Sequence, residues 1–132
     1  MGTSSFRLSI AIVFLSTIAF LSPVQASELK TVKAGQSTLI HEQSFIGTAP
    51  AGLRAARPYI VQPQHGAIVV RTSVSGSGVN KKTTWKFFYT SRGGYKGRDR
   101  TELGVRMQMR DTSGSVRDII FPEAIKVGLV VW

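Results

Sequence analysis

The residues from Thr101 to Arg110 alternate strictly between two kinds of side chain, and this alternation constrains the fold more than any other feature of the chain. The apolar series consists of Leu103, Val105, Met107 and Met109. The opposite series consists of Glu102, Gly104, Arg106, Gln108 and Arg110. A period of two predicts a β-strand with one buried and one solvated face. The buried face must be covered by other apolar surface, which indicates sheets packed on one another.

Shorter strand-like runs recur along the rest of the chain and are separated by turn residues. Thr84–Thr90 and Ala67–Val74 are the clearest of them. Weaker candidates are 29–33, 37–46, 59–62, 116–121 and 125–132. Long stretches with helical spacing of apolar residues are missing from the sequence. We therefore predict an all-β fold, an Ig-like antiparallel two-sheet β-sandwich of about seven to eight strands. The predicted core is Trp85, Phe87, Tyr89, Tyr95, Leu103, Val105 and Met107.

Two turn segments resemble those of a known family. Residues 89–99 read Tyr-Thr-Ser-Arg-Gly-Gly-Tyr-Lys-Gly-Arg-Asp, and residues 63–66 read Pro-Gln-His-Gly. They resemble the Gly-Tyr-x-Gly-x-Asp signature and the Pro-x-His-Gly turn of bacterial Ig-like and cadherin-like repeat domains. The resemblance covers residues 63–114 and implies a β-sandwich, here as a stand-alone exported copy of one domain. It does not name a ligand.

The glycine-rich part of the first segment predicts a corner between two strands. Glycine permits positive φ, and a tyrosine at such a corner can return its hydroxyl to the backbone. An aspartate there can accept hydrogen bonds from backbone N–H groups. We therefore assign a structural role to Tyr95, Gly97 and Asp99. The alternative is a calcium site with Asp99, Asp111 and Glu28, but 7 acidic residues among 17 basic ones are a poor source of carboxylate ligands. We expect no metal and no cofactor.

The N-terminus has the layout of a secretory signal peptide. Arg7 is followed by the apolar stretch Leu8–Ser22 and then by Pro-Val-Gln-Ala. We predict a signal peptide over 1–26, cleaved after Ala26, and an Ig-like domain over 27–132. A membrane anchor is the alternative, for which the apolar stretch is short. The mature protein would be periplasmic or secreted, without a transmembrane segment. The chain has no cysteine, which excludes disulfides and thiolate chemistry.

The mature chain is strongly basic. Removal of Arg7 leaves 16 Lys and Arg against 7 Asp and Glu, a net charge of +9. Six of the basic residues are concentrated in one segment that contains only two acids, Asp99 and Glu102. They are Arg92, Lys96, Arg98, Arg100, Arg106 and Arg110. One interpretation is a solvated surface. The other is a binding face for an anion, either acidic polysaccharide or lipid phosphate, because export argues against nucleic acid.

The sequence favours a binding protein over an enzyme. It lacks the Gly-x-Ser-x-Gly, phosphate-loop and His-Glu-x-x-His motifs. The two histidines, His41 and His65, do not have the spacing of zinc ligands. We expect a non-catalytic binding or adhesion module. The alternative is an accessory subunit that pairs with a protein partner through an edge strand, with the apolar C-terminal strand Lys126–Trp132 as the candidate edge.

Overall fold

The computed structural model describes residues 27–132, and the predicted signal peptide lies outside the described residues. Seven strands form the domain, and a 3₁₀ turn over Gly78–Asn80 precedes the fifth. Their bounds are β1 Ser27–Val32, β2 Thr38–Ile46, β3 Arg57–Val61, β4 Gly66–Ser75, β5 Lys82–Ser91, β6 Gly97–Arg110 and β7 Val116–Val131. The predicted all-β class is therefore confirmed.

The strands form two sheets. One has four strands in the order β1-β7-β6-β3, and the other has three in the order β2-β5-β4. The series β2-β5-β4 and β7-β6-β3 match the B-E-D and G-F-C series of the immunoglobulin sandwich. Strand β1 differs from the constant-type arrangement because it joins the larger sheet, where it runs parallel to β7. The prediction of an entirely antiparallel sandwich was wrong for this one pair.

The core lies between the two sheets and is built mainly from β5 and β6. Alternate residues of both strands point inward, and the buried members of the predicted core are Trp85, Phe87, Tyr89, Leu103, Val105 and Met107. Tyr95 is a correction to that list, since it is only half-buried and packs at the margin of the core. Met109 is 48% exposed. The alternation of apolar residues along β6 thus extends beyond the part of the strand that the other sheet covers.

The predicted edge strand Lys126–Trp132 does not lie at the edge of its sheet. Residues Lys126–Val131 pair with β1 on one side and with β6 on the other. Val127, Leu129 and Val131 of this segment are buried in the core, and Val130 on the outer face is half-buried. In the preceding part of β7, residues 116–121 and Ile125 pair with β6, and none of residues 116–125 has a β1 partner within the described part of the chain. The candidate edge Lys126–Trp132 is corrected accordingly.

A bulge lies within the earlier part of β7, between Phe121 and Ile125. Pairing with β6 passes from Leu103–Ile125 to Val105–Phe121, so several residues of β7 face Gly104 alone. A Cβ atom on Gly104 would lie 2.7 Å from Cγ2 of Ile120. Glycine is therefore required where β7 arches over β6. Bulges of this kind bend a strand and disrupt its hydrogen-bonding edge.

We expect Val105→Ala to lower the free energy of unfolding by about 2 kcal/mol, because it removes buried methyl groups and leaves a cavity. Val69→Ala is the matched control and should change it by less than about 0.5 kcal/mol. The two positions are 1% and 58% exposed, respectively. Urea unfolding measures both. Equal losses would contradict the assignment of inward and outward faces.

Candidate functional site

The two turn segments of the sequence meet at one end of the sandwich. The imidazole of His65, between β3 and β4, stacks on the ring of Tyr95 with centroids 4.0 Å apart and an angle of 4° between planes. The backbone N–H of Arg92 donates to the carbonyl of His65 at 2.8 Å. The Tyr95 hydroxyl donates to the carbonyl of Arg98 at 2.7 Å. The β5–β6 corner and the β3–β4 turn are thus a single packed unit, which we call the turn unit.

Asp99 joins this unit to the core. Its carboxylate accepts hydrogen bonds from the backbone N–H groups of Gln64 at 3.2 Å, His65 at 3.0 Å and Arg100 at 2.9 Å. It also accepts the Tyr89 hydroxyl at 2.8 Å. Asp99 is only 9% exposed. Four N–H and O–H donors therefore compensate the burial of the carboxylate, and each bond to a charged acceptor is stronger than a neutral one.

Two glycines make the close packing of this unit sterically feasible. A Cβ atom on Gly66 would lie 2.6 Å from both the Thr90 carbonyl oxygen and the Tyr89 ring. Gly97 has φ +133°, a conformation that residues with a side chain rarely adopt. The glycines of the two turn segments are therefore explained by sterics and backbone conformation alone.

The acidic residues of the alternative calcium site do not come together. Among residues 27–132 no group of three or more His, Asp or Glu side chains lies close enough to hold a metal ion. Asp111 is in the β6–β7 turn, where it accepts hydrogen bonds from Ser113 and Ser115. These bonds, first that of the Ser113 hydroxyl, lower the pKa of the Asp111 carboxyl. Glu28 pairs with Lys30 on β1 at 3.7 Å.

The six basic residues singled out in the sequence fall into three places. Arg98 and Arg100 project from the start of β6 onto the outer face of the four-stranded sheet, and both are exposed. Arg106 and Arg110 lie on the same face near the end of β6. Arg92 and Lys96 lie in the corner. The guanidinium of Arg92 donates to the Gly66 carbonyl at 3.1 Å, which gives it a bond within the turn unit.

Arg98 and Arg100 line an open groove of about 950 Å³. We call it the basic groove, and its charged or polar lining includes Ser27 from β1, Gln64 and His65 from the β3–β4 turn, Arg98, Arg100 and Glu102 from β6, and Lys126 from β7. Lys126 lies directly across from Glu102 in the sheet. Sequence reasoning missed Lys126 and Ser27, because only the pairing of β1, β7 and β6 brings them beside the two arginines.

The other end of the same face holds a second concentration of positive charge. Arg106 lies over the Tyr59 ring, 5.4 Å from its centroid. Arg57 on β3 is directly opposite Arg106, and its Nη1 atom is buried without a hydrogen-bond partner among the described residues. Like charges directly opposite in a sheet are destabilising. Gln108, expected to be solvated, is half-buried and its Oε1 accepts the Arg54 N–H at 2.8 Å.

Comparison of this chain with models of protein families, with curated proteins and with solved structures finds no match. The family resemblance of the two turn segments therefore stays a prediction. Within the described residues, no helix is long and apolar enough to cross a membrane.

We expect Asp99→Asn to lower the free energy of unfolding by on the order of 3 kcal/mol. The asparagine amide has only one acceptor oxygen. Its NH₂ group would face backbone N–H donors that in the wild type are bonded to a carboxylate oxygen. Asp118→Asn on the exposed part of β7 is the control and should have little effect. Thermal unfolding with and without calcium measures both. A rise in melting temperature with calcium that disappears in Asp99→Asn would contradict the structural role.

Tyr89 should dominate the alkaline unfolding of the protein. Burial, and secondly the hydrogen bond to Asp99, raise the pKa of the Tyr89 phenol far above its ordinary value. In the unfolded chain the phenol ionises near pH 10, so stability is retained below about pH 10 and decreases as the pH rises further. We expect Tyr89→Phe to flatten this decrease, while Tyr59→Phe leaves it unchanged.

Absorbance of tyrosinate gives a second measurement of the same effect. The chain has 3 tyrosines, and two of them, Tyr59 and Tyr95, are partly exposed. Tyr89 should ionise only together with loss of the native near-UV spectrum. Ionisation of Tyr89 with the native near-UV spectrum retained would contradict its burial.

Proposed function

We propose that this protein is an exported, non-catalytic binding module that holds an anionic envelope polymer on the outer face of its four-stranded sheet. The observation that carries the proposal is the basic groove, in which Arg98, Arg100 and Lys126 converge from two strands. Glu102 is the acidic residue on the outer wall of the groove. The Asp99 carboxylate instead accepts hydrogen bonds from backbone N–H groups of the turn unit. The groove therefore has an excess of positive charge.

The residue types suit a carboxylate or phosphate ligand. The guanidinium group is planar and presents paired N–H donors that match the two oxygens of a carboxylate or phosphate. In the basic groove the two arginines are exposed, so their donors are open to a ligand. Gln64 and His65 of the adjoining turn add polar groups of the kind that bind sugar hydroxyls.

A polymer is favoured over a single anion because positive charge continues along the face. Arg100 and Arg106 are on the same face of β6 and lie roughly 20 Å apart along the strand. The Arg57–Arg106 pair places two like charges opposite each other, and a bound anion would relieve their repulsion. A ligand with repeated negative charges would contact both ends and gain from the second contact through effective concentration.

A partner protein that adds a strand is the second candidate. It is favoured by the part of β7 from 116 to 125, which lies beyond β1 and includes Phe121, 48% exposed. Strand addition needs an open backbone edge and pockets for alternate side chains. The bulge opposite Gly104 interrupts this edge, which weakens the second candidate relative to the first.

Charge reversal in the basic groove tests the main proposal. We expect Arg98→Glu/Arg100→Glu to weaken retention on a polygalacturonate matrix by at least about ten-fold at low salt. Arg71→Glu/Lys82→Glu is the control, since it changes the net charge equally but lies on the three-stranded sheet. Wild-type retention should decrease steeply as salt rises, because exposed charges are screened within about 8 Å at physiological ionic strength.

The same variants distinguish two sources of the anion. Vesicles of phosphatidylglycerol in phosphatidylcholine present lipid phosphate, and the matrix presents sugar carboxylate. Arg106→Glu/Arg110→Glu, tested on both, shows whether the ligand extends to the far end of the face. If all three charge reversals weaken binding equally, the effect is one of net charge and the face is only a solvated surface. That result would refute the proposal.

A further inference from the structure

We propose that removal of the signal peptide completes the anion site, because it creates an α-ammonium group at Ser27 within the basic groove. The inference rests on the proposed function of the groove and on the predicted cleavage after Ala26. It assigns a ligand-binding role to the mature N-terminus, and it makes the precursor a weaker binder than the mature protein.

The position of Ser27 in the sheet carries the inference. Ser27 is the first residue of β1 and lines the basic groove. The parallel pairing of β1 with β7 places it directly beside Lys126, and β7 in turn places Lys126 opposite Glu102 on β6. Neighbouring strands are about 4.8 Å apart, so the Ser27 backbone is roughly 10 Å from that of β6 across the groove. The β6 residue at this level is Glu102, and Arg100 is two residues, roughly 7 Å, further along the strand, so an anion bound over Lys126 would be within reach of the Arg100 side chain.

Cleavage changes the charge of this position. Water adds across the Ala26–Ser27 peptide bond under the action of a signal-processing peptidase. Its hydroxyl goes to the carbonyl carbon of Ala26, and its hydrogen goes to the Ser27 nitrogen, which then takes a proton from solvent. Before cleavage the nitrogen belongs to a neutral amide. Afterwards it is an amine with an ordinary pKa of about 7.7–8.0, and it carries a positive charge at neutral pH.

The charged neighbours of this amine make its protonation depend on the ligand. Lys126 lies directly beside it on β7, while Arg100, Arg98 and His65 line the same groove further along. The acids of the groove lining are Glu102 and Asp99, whose carboxylate accepts hydrogen bonds from Gln64 and His65, while Glu28 on its own strand pairs with Lys30. Surrounding cations favour loss of the proton, and a bound anion favours its retention. Ligand and proton should therefore bind cooperatively, by thermodynamic linkage.

The test compares two forms of the mature chain that differ by one charge. One begins at Ser27 with a free amine, and the other is the same chain acetylated on the Ser27 nitrogen only. The probe is a galacturonate oligomer, titrated at constant ionic strength at pH 6.5 and pH 9.5. We expect acetylation to weaken binding roughly two- to five-fold at pH 6.5, the range for one exposed ion pair, and to have no effect at pH 9.5. His65 is present in both forms, so its protonation cancels in the comparison.

Three controls separate this inference from the proposal on which it rests. Both forms should unfold at the same temperature, because Ser27 is exposed. If acetylation has no effect at pH 6.5 while Arg98→Glu/Arg100→Glu removes binding, the α-amine has no role and the groove keeps its function. If charge reversal also has no effect, the groove itself is not a binding site. An exported product whose mass retains residues 1–26 would overturn the inference as well.

Discussion

The buried carboxylate of Asp99 is the interaction on which the arrangement of this domain depends. It joins the β3–β4 turn, the Tyr89 side chain of β5 and the first residues of β6 through hydrogen bonds of 2.8 to 3.2 Å. These segments belong to both sheets, so the bonds hold the sheets together at one end of the sandwich. A buried carboxylate without such donors would be costly, which makes the site intolerant of change.

The proposed binding face follows from the same strand that forms the core. Side chains alternate along β6, so a strand that buries Leu103 and Val105 on one face presents Arg100 and Arg106 on the other. Asp99 fixes the start of β6 and so fixes where Arg98 and Arg100 emerge. Stability and proposed function are therefore coupled at this point: the inward side chains hold the strand, and the outward ones meet solvent or ligand.

The position of β1 decides the character of both the groove and the sheet edge. By pairing in parallel with Lys126–Val131 it covers the final segment of β7 and adds Ser27 to the groove. Among residues 27–132 the segment 116–125 pairs with β6 alone, and a bulge interrupts its backbone edge. This arrangement favours recognition by a charged face and disfavours recognition by strand addition.

The sequence by itself determined the all-β class, the inward faces of β5 and β6, and the conformational need for glycine at the corner, because alternation and turn chemistry are local properties. Tertiary structure alone decided which distant segments meet. The stacking of His65 on Tyr95, the parallel pairing of β1 with β7 and the place of Lys126 opposite Glu102 all depend on how distant strands pair. For strands far apart in sequence, such as β1 and β7, no connecting turn sets the register, and it follows from burying the apolar faces in a common core.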